Sequence, residues 1–149
     1  MPQIVEQVYY DGARERVERL GLGPLIDEVK LIVSDFRLLV KEVKDSNGGA
    51  AVRKLIDPRF EAAGGWTKKT AGDIDWIKCH AVNGTKVCIG VEVQVPARSD
   101  LLVMDRIHLT AAFREGRLDV GVIIVPSDKL SYFLTDRDPC ISNPPRPPP

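Results

Sequence analysis

Asp75 and Glu92 are the residues of this sequence best placed to do chemistry. Asp75 falls in Gly72-Asp73-Ile74-Asp75-Trp76-Ile77, and Glu92, seventeen residues later, falls in Val91-Glu92-Val93-Gln94-Val95. Side chains alternate between the faces of a strand, so Asp73, Asp75 and Ile77 share one face, as do Gly90, Glu92 and Gln94. On neighbouring strands the two acids converge. Two carboxylates side by side in otherwise apolar β-structure repel each other and are costly to bury unless a divalent cation sits between them. The pair therefore reads as a magnesium site.

Such a site needs two paired strands, and Asn83-Gly84 supplies the hairpin turn between one strand at about 72–79 and another at about 86–95. Upstream, residues near 11–20 read as a short amphipathic helix carrying Val17 and Leu20, closed by the break at Gly21-Leu22-Gly23-Pro24. A long helix is expected over 25–43, because Leu25, Val29, Ile32, Val33, Phe36, Leu39, Val40 and Val43 recur at spacings of three and four. The turn cluster Asp45-Ser46-Asn47-Gly48-Gly49 ends it. A third helix over 50–63 runs through Val52, Leu55, Ile56 and Phe60, and Pro58 should kink or split it.

After Pro96, the spacing of Leu101, Leu102, Met104, Ile107, Leu109, Ala112 and Phe113 predicts a helix whose apolar face packs back on the sheet. The apolar run over 118–125 predicts a strand buried on both faces and parallel to the second hairpin strand. Residues 131–134 add a short strand or an edge helix. The order α-α-α-β-β-α-β describes an α/β (α+β) fold, a mixed β-sheet flanked by helices with further helices at the N-terminus. We expect one domain over 1–138, with a helical part at 1–49 and a catalytic core at 50–138. The tail at 139–149 is proline-rich and expected to be disordered or polyproline-like.

The chain has 149 residues, 44% of them hydrophobic, enough for a core of its own. Its 21 basic and 21 acidic residues cancel. That balance excludes a protein that coats nucleic acid through bulk positive charge, but not a nuclease, which needs basic groups only where phosphates lie. No apolar run reaches the roughly 20 residues that cross a bilayer, and the N-terminus lacks the layout of a secretion signal, so a cytoplasmic protein is expected. Cys79, Cys88 and Cys140 show no CxxC spacing, and the first two are expected to pack as reduced, small apolar residues. His80 and His108 stand alone, which argues against zinc and against serine or cysteine triads. His108 is expected to be packed within its helix and His80 to be at the surface. Neither a Walker loop nor a Rossmann fingerprint is present, so no nucleotide cofactor is implied.

An aspartate followed on the next strand by Glu92-Val93-Gln94 resembles the active site of the PD-(D/E)XK nucleases. The glutamine stands where most members carry lysine, which narrows the likeness to the BglII branch of type II restriction endonucleases, where ExQ replaces ExK. The likeness extends over about 52–126, including the helix with Asp105 and the segment Arg117-Leu118-Asp119-Val120-Gly121-Val122-Ile123-Ile124-Val125-Pro126. The Gly-Asp-Ile-Asp phrase is also similar to one in Holliday junction resolvases.

What the resemblance implies is a restriction-endonuclease-like core that hydrolyses double-stranded DNA with Mg2+, for which Mn2+ substitutes. Asp75, Glu92 and the carbonyl of Val93 would hold the metal, and Gln94 would position water, since a neutral amide is neither a base nor a charge. Asp73 is either a further ligand or a solvated carboxylate. Glu61, at the end of the third helix, matches a place where related nucleases put another polar active-site residue.

Lys68 and Lys69, on a loop ahead of the motif, and Arg98 and Ser99, beyond it, are candidate DNA contacts. Trp76 should point into the core, whereas Trp66 is open to core packing or base stacking. Cutting a palindromic site calls for a homodimer, with the long helix at 25–43 as its surface. A structure-selective repair nuclease and an inert DNA-binding domain on the same fold are the alternatives.

Overall fold

The computed structural model describes residues 1–68, 74–95 and 99–134, and only the backbone of residues 99–100. Lys69, Asp73, Arg98 and the proline-rich tail lie outside the described residues. Within them the chain forms α1 (Ala13–Arg19), α2 (Gly23–Ser34), α3 (Gly49–Ala63), β1 (Thr67–Lys68), β2 (Trp76–Val82), β3 (Thr85–Val93), α4 (Ser99–Arg114), β4 (Val120–Ile124) and α5 (Asp128–Ser131). The strands make one mixed sheet in the order β1-β2-β3-β4, antiparallel except for the parallel pair β3 and β4. This is the α+β architecture expected from the sequence, with β1 as an additional edge strand. No helix among the described residues is long and apolar enough to cross a membrane.

The hairpin forms where the turn residues dictate. Asn83 and Gly84 adopt φ 49° and 78°, the two positive values of a type I′ turn, whose twist matches that of the flanking strands. Val82 then pairs with Thr85, and the register runs unbroken to Trp76 opposite Val91. One step further lie Asp75 and Glu92. Asp75 thus sits just ahead of β2 rather than inside the strand expected at 72–79.

Alternation along β3 divides the molecule into two cores. Val87, Ile89, Val91 and Val93 face a cluster built with α1, α2 and α3. Cys88 and Gly90 face α4, whose Leu109 and Ala112 join Ile74 and Leu118 in the second cluster. Gly90 and Gly121 are paired across β3 and β4, and a Cβ on Gly121 would meet Leu109 Cβ at 3.3 Å. The two glycines make the shallow floor on which α4 lies close to the sheet.

Several expectations give way to packing. The helix expected over 25–43 stops at Ser34, whose hydroxyl donates back to the Lys30 carbonyl at 2.6 Å. Beyond it Phe36 is buried and Leu38 and Val40 are partly buried, while Arg37 and Leu39 are exposed. This is a period of two, which the overlapping three-and-four spacing concealed. Leu25, Ile26, Val29 and Ile32 pack into the core, so the apolar face of that helix is covered within the chain.

Pro58 does not divide α3, which runs from Gly49 to Ala63. An interior proline costs roughly 3 kcal/mol, whereas burying a large apolar side chain is worth roughly 1.5–3 kcal/mol, and Val52, Ile56 and Phe60 are all buried. β4 is an edge strand rather than one buried on both faces: Val120 is buried while Ile123 is exposed. On α4, Leu109 and Ala112 pack as expected, but Met104, Ile107 and Phe113 remain exposed. Cys79 and Cys88, opposite each other in the hairpin, are joined as a disulfide with Cα atoms 4.0 Å apart, rather than packed as free thiols.

Candidate active site

Among the described residues, Asp75, Glu92 and Gln94 are the buried polar or charged side chains. The other charged side chains among the described residues are exposed or only partly buried, as solvation requires. Glu92 is 1% exposed. The backbone N–H of Asp75 donates to its Oε2 at 3.3 Å, and the backbone N–H of Val93 donates to Asp75 Oδ2 at 2.9 Å. Each acid is thus held by the strand of the other. Gln94 continues the β3–β4 ladder through its N–H to the Ile124 carbonyl at 2.9 Å.

Burial above all, and then the negative charge of Asp75, push the Glu92 carboxyl up to about 8; its hydrogen bond with the Asp75 side chain and the charge of Asp105 act in the same direction. In the absence of a cation, Glu92 therefore keeps its proton at neutral pH. The site is built to favour a positive group beside it.

A positive group is already there. Nη1 of Arg53 donates to Asp75 Oδ2 at 3.2 Å and to the Val93 carbonyl at 2.9 Å, two of the three oxygens expected to hold metal. The guanidinium is steadied by Asp57, one turn later on α3, at 3.0 Å, and Asp57 also accepts from Trp76 Nε1 at 3.2 Å. Arg53 acts as a stand-in cation, and its position shows that these oxygens face a space where positive charge can settle. All-oxygen donors of this kind suit a hard divalent ion such as Mg2+.

The acids open into a cleft of about 380 Å³ lined by Arg53, Asp75, Glu92, Gln94, Asp105 and His108, among others. Asp105 and His108 come from α4, and His108 Nδ1 lies 4.0 Å from Glu92 Oε1. The histidine expected to be packed within its helix instead lines the site.

The other candidates divide. Glu61 is exposed on the last turn of α3 and does not line the cleft. Lys68 is exposed on β1, with Nζ 5.7 Å from the centre of the Trp76 ring. Ser99 begins α4, and its side chain is not among those described. Trp76 stacks on Phe60 with ring centres 5.2 Å apart, as core packing requires. Trp66, left open by the sequence, is buried edge-on to Phe60 and donates Nε1 to Glu28 at 2.9 Å, which settles it in the core. His80 is partly buried rather than at the surface.

Sequence reasoning missed Arg53, Asp57 and His108, and gave Asp105 no role in the site. The i, i+4 spacing of Arg53 and Asp57 and the i, i+3 spacing of Asp105 and His108 put each pair on one helix face. Neither spacing says that the face looks into a cleft.

A family model described as restriction endonuclease BglII/BglIII matches residues 9–142. No curated protein matches the chain.

Proposed function

The chain belongs to the BglII/BglIII restriction endonuclease family of DNA-cutting enzymes, and on that premise we propose that it is a Mg2+-dependent type II restriction endonuclease of the ExQ form of the PD-(D/E)XK group. It hydrolyses phosphodiester bonds in double-stranded DNA and leaves a 5′ phosphate. The observation that carries this reading is the coincidence of the Asp-then-Glu-x-Gln pattern with the buried polar side chains Asp75, Glu92 and Gln94.

Asp75, Glu92 and the Val93 carbonyl are the residues that hold the ion. When bound there, Mg2+, or Mn2+ in its place, supplies a lowered water pKa, polarisation of the scissile phosphate and charge compensation on the leaving 3′ oxygen. Gln94 orients the attacking water through its amide, which donates and accepts but takes no proton. Arg53, held by Asp57, provides the positive charge that position 94 lacks. With Asp75 and the Val93 carbonyl engaged by the ion, the Arg53 guanidinium would be available to bind a phosphate oxygen and stabilise charge on the scissile group.

Lys68, Lys69, Arg98 and Ser99 contact the DNA backbone or a base edge. Two copies act on the two strands, and the exposed apolar residues Val103 and Ile107, one turn apart on α4, offer a surface for the second copy. The deciding experiment is cleavage of supercoiled and linear plasmid in Mg2+ at low salt by wild type, Asp75→Ala and Glu92→Ala. Discrete fragments that vanish in both variants support the proposal. Nicking or smearing without discrete fragments points to a structure-selective nuclease, and no metal-dependent cleavage to a binding domain.

A further inference from the structure

The two carboxylate oxygens of Glu92 face different neighbours. Oε2 accepts from the Asp75 backbone. Oε1 is buried, and no donor among the described residues reaches it, yet it points toward α4, with His108 Nδ1 4.0 Å away. One ligand atom from each of Glu92, Asp105 and His108 lies within 4.8 Å of the others. An acceptor buried without a donor costs about 1–3 kcal/mol in a neutral site and more when charged, so something positive belongs there.

We propose that Glu92, Asp105 and His108 form a second cation position, on the α4 side of Glu92, that takes a divalent transition ion. The proposal rests on the nuclease reading only in that Glu92 is shared: Oε2 lies on the side of Asp75 and Oε1 serves the new position. Around one ion with bonds of roughly 2.1 Å, tetrahedral ligand atoms lie about 3.4 Å apart. His108 is partly exposed and lines the cleft, and closure around an ion needs a shift of about an ångström in its ligand atom.

The two positions differ in chemistry. Asp75, Glu92 and the Val93 carbonyl offer oxygen alone, which suits Mg2+. The second position adds an imidazole nitrogen, and that favours Mn2+, Co2+ or Zn2+ over Mg2+. The helix that carries Asp105 and His108 is set against the sheet by Leu109 resting on the paired glycines Gly90 and Gly121, so the position is built into the fold.

The test is pulsed electron paramagnetic resonance of Mn2+ bound to the full chain in a large excess of Mg2+, which fills the all-oxygen position. Wild type is expected to show coupling to one imidazole nitrogen, and Asp75→Asn to keep it. His108→Ala should lose the coupling, and Asp105→Asn should weaken Mn2+ binding at least tenfold, with circular dichroism confirming that both variants fold. No nitrogen coupling in wild type, or coupling that survives in His108→Ala, overturns the proposal. Plasmid cleavage is scored separately. Coupling without cleavage leaves the second position standing and sinks the nuclease reading, whereas cleavage without coupling does the reverse.

Discussion

Arg53 and Asp75 are 22 residues apart in the chain, and Nη1 of the first donates to Oδ2 of the second at 3.2 Å. A metal ion must displace that contact to use the same oxygen. Charge-assisted hydrogen bonds are worth about 1.5–3 kcal/mol, and 1.4 kcal/mol is a factor of ten in affinity. Arg53→Ala should therefore bind Mg2+ about tenfold more tightly in a direct titration. At saturating Mg2+ the same variant should cut plasmid at least about 100-fold more slowly, the usual cost of removing a group that stabilises charge in the transition state. Tighter metal binding with unchanged cleavage would show that Arg53 only competes with the ion for Asp75.

Gly90 tests how α4 is set. A Cβ there would come within 2.5 Å of Leu118 Cδ2 and 3.4 Å of Leu109 Cδ2, and both leucines are buried. Gly90→Ala should lose about 1–3 kcal/mol in urea denaturation, the cost of overpacking a filled core. Leu118→Ala on that background should recover part of the loss, although the same change alone is destabilising. Two losses that simply add would place the strain elsewhere.

The three buried polar residues were legible in the sequence because strands leave little freedom. A two-residue turn at Asn83-Gly84 fixes which residues face each other, and alternation fixes which face they take. Asp75 and Glu92 could not avoid each other once those strands paired. Arg53 and His108 were not legible, because their neighbours are set by how helices dock on the sheet, and a helix face carries no mark of what will cover it. Between them stands the segment after Ser34, where Phe36, Leu38 and Val40 fit a strand-like period while Phe36, Leu39, Val40 and Val43 fit a helical one. Tertiary contacts decided: the Asn47 side chain holds the backbone of Lys41 and the carbonyl of Phe133, anchoring an irregular chain where a helix was expected.

The cysteine pair was legible too, though unread. Cys79 stands four residues before Asn83 and Cys88 four after Gly84, so the turn alone makes them partners. Thiol labelling of the unfolded chain without reductant should find one free thiol in three, Cys140, and after reduction all three. Closing so short a loop is worth roughly 2–3 kcal/mol. Reduction should lower the denaturation midpoint accordingly, and three free thiols before reduction would refute the pairing.

Glu92 links the site to pH in two opposite ways. Its carboxyl is raised from 4.5 to about 8 in the folded chain, by burial first and then by Asp75. Between those values the native state holds a proton that the unfolded state has released. The stability that Glu92 contributes to the metal-free protein is thus fully present below pH 4.5 and is lost as pH rises toward about 8, by on the order of 1 kcal/mol per pH unit, because over that range the unfolded chain releases a proton that the buried carboxyl retains. Metal binding runs the other way. A cation on Glu92 must expel that proton, so Mg2+ affinity should climb with pH, approaching tenfold per unit, and level off above about 8. Glu92→Gln has the shape of the protonated acid and no proton to lose. It should flatten both profiles, make the metal-free protein more stable than wild type above pH 8, and abolish cleavage. Denaturation curves and Mg2+ titrations from pH 5 to pH 9 measure the two slopes on the same samples. If the stability slope persists in Glu92→Gln, another group carries it, and the carboxyl of Glu92 is not the proton store that the buried pair implies.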